Sequence, residues 1–319
     1  MRFNFHLIFL YLAVGGLLVL QFWPGRGPVD SPLPEDYAPY AVAAGAEVAA
    51  SGGLRAPFAL LPLPEELDFA GERVPLEDLH VRERMERELY VNAYWESNLI
   101  LLKKRSAKYL PEIERLLAAA GVPDDFKYVA IAESALLHVT SPAGARGFWQ
   151  FMPKTAKEYG LEVSSDVDER YHLEKATLAA ARYLKKAHAR FGTWAAVAAS
   201  YNMGQAGLAN RMQEQRVNTY FDLYLNDETS RYLFRVLAFK LLFEQPETYG
   251  YFVPEAERYR YPETRTLRVD TAIPDLAVWA QAQGSTYRDL KWLNPWLRSR
   301  KLAPARGKTY EIKLPVGSA

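Results

Sequence analysis

Pro123-Asp124-Asp125-Phe126-Lys127-Tyr128-Val129-Ala130-Ile131-Ala132-Glu133-Ser134-Ala135-Leu136-Leu137 reads as a helix with an acid on its apolar side. Phe126, Val129, Ala130 and Leu137 recur at spacings of three, four and seven and form one stripe, and Glu133 falls on it. A carboxylate in that position stands at the helix end, pairs with a buried Arg or Lys, or sits in an apolar cleft. In the cleft, desolvation disfavours its charge and raises its pKa, which makes a general acid. The stripe alone leaves all three open.

The residues that follow narrow the choice. Ser141 to Gly147 carry Gly144 and Gly147 in a tight loop, and Phe148-Trp149-Gln150-Phe151-Met152 follow at once. An aromatic face suits a sugar ring, and a Gln side chain both donates to and accepts from hydroxyl or acetamido groups. Trp149, Phe151 and Met152 read equally well as core. Farther on, Ser200-Tyr201-Asn202-Met203-Gly204 closes a helix with two polar side chains and a glycine.

Glu133-Ser134, Ser141-Pro142-x-Gly144-Ala145-x-Gly147-x-Trp149-Gln150-x-Met152 and Tyr201-Asn202-x-Gly204 together resemble the catalytic domain of soluble-lytic-transglycosylase type, within the lysozyme-like superfamily. The resemblance covers roughly residues 76–250. It implies a helical cleft in which Glu133 is the single catalytic acid and base. Glu133 would protonate the oxygen between MurNAc and GlcNAc in peptidoglycan, then take the proton of the MurNAc 6-hydroxyl as that group attacks C1 and leaves a 1,6-anhydro end. By the same resemblance Ser134 positions Glu133 or binds substrate, Gln150 and Met152 line the substrate cleft, and Tyr201 and Asn202 face the reacting sugar. Ser200 stands where alanine commonly precedes Tyr-Asn, and Tyr171-His172 follows Asp168-Glu169-Arg170 where a second arginine or proline is usual. Asp166, Asp168 and Glu169 read as a solvated, helix-starting charge cluster, with a water-activating base as the alternative. The competing functions are a non-catalytic peptidoglycan-binding scaffold and a lysozyme-type hydrolase.

Around this site the chain reads as mainly α. Helical spacing marks residues 81–104, 111–120, 173–191, 194–201 (capped by Thr193) and 228–244 (capped by Asp227). After Gly250 the character changes, and residues 251–263 read as a linker. Residues 264–316 read as a small α+β unit in the order strand, helix, helix, strand, with strands at 266–269 and 309–314 and helices at 274–283 and 286–294. That unit resembles a LysM-type glycan-binding module through Leu276, Trp279, Ala280, Leu290-Lys291-Trp292-Leu293-Asn294-Pro295 and the closing strand. Asp270-Thr271 lacks the glycine that commonly precedes it in that family. A small packing or partner-binding domain is the other reading.

At the other end, a nearly uncharged run from Phe5 to Trp23 is close to the roughly 20 residues that span a bilayer. It predicts an anchor or signal peptide over residues 1–23, then a Pro/Ala/Gly-rich tether over 24–75 that spaces a periplasmic domain from the inner membrane. The 319 residues carry 49% hydrophobic and 24% charged side chains and a net charge of +1, so a folded two-unit protein is expected and no nucleic-acid footprint is seen. The absence of cysteine excludes disulfides and thiolate sites. The five histidines lie at no metal-ligand spacing, so neither metal nor cofactor is expected. The partners implied are peptidoglycan strands and, through the N-terminal segment, the membrane; protein partners are not legible.

Overall fold

The computed structural model describes residues 60–304 and 307–317. The expected anchor and most of the expected tether lie outside them. The described chain is mainly helical, with a small two-stranded unit at its C-terminal end.

The core begins inside the stretch expected to be tether. β1 (Asp68–Phe69) and β2 (Glu72–Arg73) form an antiparallel hairpin, and Leu67, Phe69, Val74 and Leu76 are buried in the main hydrophobic core. Lys240 pairs with both Asp68 and Asp125, at 3.2 and 2.8 Å, and so ties the hairpin to the helices. The folded region therefore starts before residue 76, the boundary expected from sequence.

α1 (Leu79–Ala93) is capped by Asp78, whose carboxylate accepts from the N–H groups of His80 and Val81. It buries Val81, Met85, Leu89 and Ala93, one residue per turn. The single helix expected over 81–104 is broken at Tyr94-Trp95, and α2 (Glu96–Ser106) buries Leu99 and Leu102 while Ile100 and Leu101 stay exposed. The inward face shifts in phase at the break, and a run of four apolar residues conceals such a shift. α3 (Leu110–Ala119) carries Pro111 in its first turn. A short 3-10 turn, Asp124–Phe126, leads into α4 (Lys127–Ser134).

α5 (Pro153–Glu158) and the long α6 (Leu173–Phe191) follow, α6 closing on Gly192 at φ 75°. α7 (Trp194–Met203) is buried from Ala195 to Ser200. Thr193 stands at the N-cap position, as expected, but its side chain makes no capping bond, and Glu72 of the hairpin accepts from the N–H groups of Trp194 and Ala195 at 2.6 and 3.0 Å. A carboxylate there meets free N–H groups and the positive end of the helix dipole. α8 (Gln205–Gln215) precedes α9 (Asp227–Glu244), which is buried on nearly every side and forms the centre of the domain. The α9 cap is Asn226, accepting from Thr229 N at 2.9 Å; Asp227, expected as cap, is the first helical residue.

Residues 251–263, expected as a linker, lie on the helices. Tyr259 N donates to Lys104 O at 2.8 Å, and the Tyr261 ring packs edge-on against Tyr109. The terminal unit then runs β3 (Thr264–Val269), α10 (Leu276–Ala282), α11 (Tyr287–Leu293) and β4 (Tyr310–Pro315), as expected, with β3 and β4 antiparallel from Thr264↔Pro315 to Val269↔Tyr310. Asp275 and Thr286 cap its helices. Asn294, with no exposed surface, donates to Leu290 O and Lys313 O and accepts from Lys313 N, which locks α11 onto β4.

The core of this unit is completed by the helical domain. Val167 and Tyr171 cluster with Leu276, Leu290, Trp296, Leu297 and Ile312, while Asp168 N donates to Trp296 O and Arg298 N to Asp166 O. Removing residues 264–317 uncovers those two side chains and is expected to destabilise the helical domain by roughly 3–6 kcal/mol, at about 1.5–3 kcal/mol per large buried side chain. Thermal melting of the truncated chain checks this; an unchanged midpoint would show that the unit folds apart. Among the described residues, no helix is long and apolar enough to cross a membrane.

Candidate active site

α4 stops one residue after Glu133. Ala135 and Leu136 turn left-handed at φ 48° and 55°, a costly conformation for side chains with a Cβ. Three bonds hold it: Ala135 N to Ile131 O at 2.7 Å, Leu136 N to Ser134 Oγ at 3.2 Å, and Arg105 Nε to Ala135 O at 2.7 Å. The helix expected to reach Leu137 thus ends at Ser134, and Glu133 stands in its last turn at the edge of an open cleft of about 500 Å³. The walls are Val91, Trp95, Ile131, Leu137, Val139 and Phe239, and Asn92 and Arg235 add polar groups.

Of the three settings open for Glu133 in the sequence, the apolar cleft and the helix end apply together. Its partner is a neutral phenol rather than a cation: Tyr232 Oη donates to Glu133 Oε1 at 2.6 Å. Burial lifts the carboxyl from 4.5 to about 7, against the Tyr232 hydrogen bond and the Arg235 charge, both of which favour the carboxylate. Burial and the neighbouring Glu133 also push the Tyr232 phenol far up, so it remains a proton donor at any ordinary pH.

Tyr232 is the site residue that sequence reading missed. α9 is apolar almost all round and offers no phase from which to select one side chain. The available signal is the spacing of Tyr232, Arg235 and Phe239, which puts a phenol, a guanidinium and a ring on one helix face, where Arg235 and Phe239 line the cleft. Arg235 is held there by Glu228 at 3.0 Å and by the buried Glu88 at 3.4 Å. Because the Tyr232 hydrogen bond stabilises the carboxylate, Tyr232→Phe raises the Glu133 pKa further. A titration of Glu133 that moves up by about one unit in this variant is expected; a downward shift would contradict the geometry.

The loop beyond α4 closes tightly. Gly147, at φ 77°, leaves no room for a side chain, since an added Cβ would lie 1.8 Å from Arg170 O. Trp149 and Phe151 are core: Trp149 has no exposed surface and donates from Nε1 to Thr177 Oγ1 at 3.0 Å. Gln150 turns left-handed at φ 45° and donates to Gly147 O at 2.7 Å, so its amide oxygen is left for a ligand. Met152 is 42% exposed beside it, at the start of α5.

Ser134, expected to position Glu133 or bind substrate, is a buried residue of the cleft wall, and its hydroxyl lies 3.0 Å from Ala130 O and 3.1 Å from Phe148 O. It ties the end of α4 to the loop and thereby positions Glu133. Tyr201 donates to Trp149 O at 2.6 Å and lies close enough to Glu133 that this charge adds to burial in raising its own pKa. Asn202 Oδ1 accepts from Thr229 Oγ1 at 2.8 Å. Thr229 and Tyr232 are three apart on α9, so Asn202 and Glu133 attach to successive positions of one helix face. Gln150, Met152, Tyr201 and Asn202 are not among the residues lining the Glu133 cleft itself.

Of the expected solvated cluster Asp166, Asp168 and Glu169, only Asp166 keeps solvent exposure. Asp168, Glu169 and Arg170 are 1–3% exposed. Arg170 donates to Asp168 from Nε and Nη2 at 2.8 and 2.7 Å, Arg146 adds a third contact at 3.3 Å, and Arg170 Nη1 reaches Gly144 O and Phe151 O at 2.9 and 3.1 Å. Burial alone would raise Asp168; the Arg170 and Arg146 contacts hold it below the ordinary carboxylate range instead. Asp168 does start a 3-10 turn, Glu169–Tyr171. A carboxylate so paired cannot serve as a water-activating base, and the guanidinium fork grips both ends of the loop that carries Gln150.

Comparison with known proteins decides what this arrangement belongs to. Residues 113–222 match the family described as Transglycosylase SLT domain, an interval that contains Glu133, the loop and Tyr201-Asn202. The chain carries a transglycosylase SLT domain. Residues 265–318 match the Soluble lytic transglycosylase C-terminal LysM-like domain. Membrane-bound lytic murein transglycosylase D of Escherichia coli strain K12 is 26% identical over 253 residues, covering 76% of this chain and 54% of that protein, and the same protein of strain O6:H1 matches equally. The chain thus spans about half the length of these curated relatives. The X-ray structure of an inactive mutant of Lytic Transglycosylase Slt from Pseudomonas aeruginosa has a TM-score of 0.34 at 21% identity, over 47% of this chain and 26% of that one. The SLT interval ends ten residues before Tyr232, so the phenol on Glu133 comes from the helix that follows the matched region.

Proposed function

We propose that this chain is a lytic transglycosylase that cleaves the MurNAc-GlcNAc β-1,4 bond of peptidoglycan and leaves a 1,6-anhydroMurNAc end. One observation carries the reading: Glu133 is the only carboxyl group lining the apolar cleft among the described residues, and burial holds it near neutrality. Ordinary glycosidases use two carboxyl groups, the second to activate water or to attack C1. A single acid suffices when the nucleophile is a hydroxyl of the substrate itself, already held beside the reacting carbon.

Glu133 enters protonated and gives its proton to the leaving glycosidic oxygen as the C1–O bond breaks. The resulting carboxylate, steadied by Tyr232 and the Arg235 charge, takes the proton of the MurNAc 6-hydroxyl while that oxygen bonds to C1. Glu133 ends as it began and no water is consumed. Gln150, Met152, Tyr201 and Asn202 contact the glycan, with the amide oxygen of Gln150 and the amide nitrogen of Asn202 as the groups left to it. The cleavage rate falls as pH rises through about 7, where the acid form is lost.

The relatives' names place them at the membrane and on murein, and the N-terminal run of this chain fits the same setting: a cell-envelope enzyme tethered to the inner membrane with its SLT domain in the periplasm. The terminal unit contributes a glycan contact while it supports the SLT domain. Incubation of isolated sacculi with the full chain is expected to release soluble glycan fragments. Intact sacculi after prolonged incubation would overturn the reading.

A further inference from the structure

α2 ends on a cation that the mechanism does not use. Lys103 is 8% exposed, and among the described residues its ammonium has no hydrogen-bond acceptor and no carboxylate at ion-pair distance. The Phe243 ring lies under it, with the centroid at 4.9 Å. A buried ammonium without an anion is costly, and a ring face offsets part of that cost.

Glu247 is near enough for its charge to act on Lys103 but not within ion-pair distance, and three other polar neighbours are already engaged. Glu114 takes Lys127 at 2.9 Å, Glu257 takes Lys104 at 3.1 Å, and Ser106 spends its proton on Lys103 O. Lys103 instead lines a cavity of about 240 Å³. Arg258 also lines it, as does Glu114, whose carboxylate is neutralised by Lys127, and the apolar walls are Leu110, Pro111, Phe243, Phe252 and Val253. Arg258 uses its Nε on Val253 O, which leaves the terminal nitrogens of the guanidinium for another partner. Burial and the like charge of Arg258 draw Lys103 down to about 8, against the opposing charge of Glu247, so it is still mostly charged at neutral pH. No residue lining this cavity lines the Glu133 cleft.

We propose that this cavity is a second binding site, one that takes a carboxylate on a short aliphatic body, such as the free C-terminal end of a short peptide. Lys103 and Arg258 hold the carboxylate, and the apolar walls take the side chain. Two cations match one carboxylate, and the volume falls below the roughly 300 Å³ typical of sites for drug-sized ligands. Binding here is independent of glycan cleavage, so either can fail without the other.

Saturation-transfer NMR on the full chain, with N-acetyl-D-alanine and N-acetyl-L-alanine as probes and N-acetylalaninamide as the uncharged control, reads the site directly. At least one acid is expected to bind saturably, and the amide at least about 10-fold more weakly, as loss of a charge-assisted contact implies. Lys103→Met and Arg258→Gln each weaken the acid by a similar factor, and Glu133→Gln leaves it unchanged. Should Lys103→Met fail to fold, Arg258→Gln alone decides. Equal binding of acid and amide, or acid binding undiminished in the variants that fold, would overturn the proposal.

Discussion

Glu133→Gln is expected to fold and to lose glycan cleavage by about 100- to 10,000-fold, the range for removal of a positioned acid and base. The amide keeps the size of the carboxyl and can accept the Tyr232 hydrogen bond, but it has no proton to give to the leaving oxygen. The same substitution has a second signature. A carboxyl raised from 4.5 to about 7 favours the folded state fully below pH 4.5, and that contribution is lost as pH rises to about 7. Above pH 7 the native protein carries a penalty of about 3 kcal/mol that the glutamine variant escapes, at about 1.4 kcal/mol per pKa unit. Melting curves at pH 4.5 and pH 8 are expected to show Glu133→Gln more stable than native at pH 8 and level with it at pH 4.5. An inactive variant that is less stable at both would mark Glu133 as a structural acid.

Asp168→Ala is expected to destabilise the protein by about 3–5 kcal/mol, the usual consequence of removing one partner of a buried ion pair. Arg170 would be left charged and enclosed, and its fork across Gly144 O and Phe151 O would loosen. Residual activity in folded Asp168→Ala is expected to fall mainly through weaker glycan binding, because the loop presents Gln150 while Glu133 stands on α4. Denaturant unfolding with kcat and KM measured separately checks both parts. A fully stable Asp168→Ala that loses only kcat would return this aspartate to the chemistry.

The place of Glu133 on the apolar side of α4 was legible because helices are periodic, but the stripe left its role open, and only the family motif of the following segments implied an acid. α6 was legible to its ends, since Pro-free helical spacing runs from Leu173 to Phe191 and stops at Gly192. Features built from residues distant in sequence were not. Glu72 caps a helix more than 120 positions away, and a capping reading that looks only at the preceding residue names Thr193. Asp168 and Glu169 read as solvated because an acidic run usually is, and the Asp168 partner Arg146 gives no local sign. Tyr232 was hidden by the uniform burial of α9.

Transglycosylation and hydrolysis share the same proton donor and differ in whether solvent oxygen enters the product. Digesting peptidoglycan in water enriched in heavy oxygen, with mass spectrometry of the released fragments, therefore tests the central claim most directly. The single-acid cleft predicts anhydro ends, each lighter by one water than a hydrolytic product, with no heavy oxygen incorporated. Reducing MurNAc ends labelled from the solvent would contradict it.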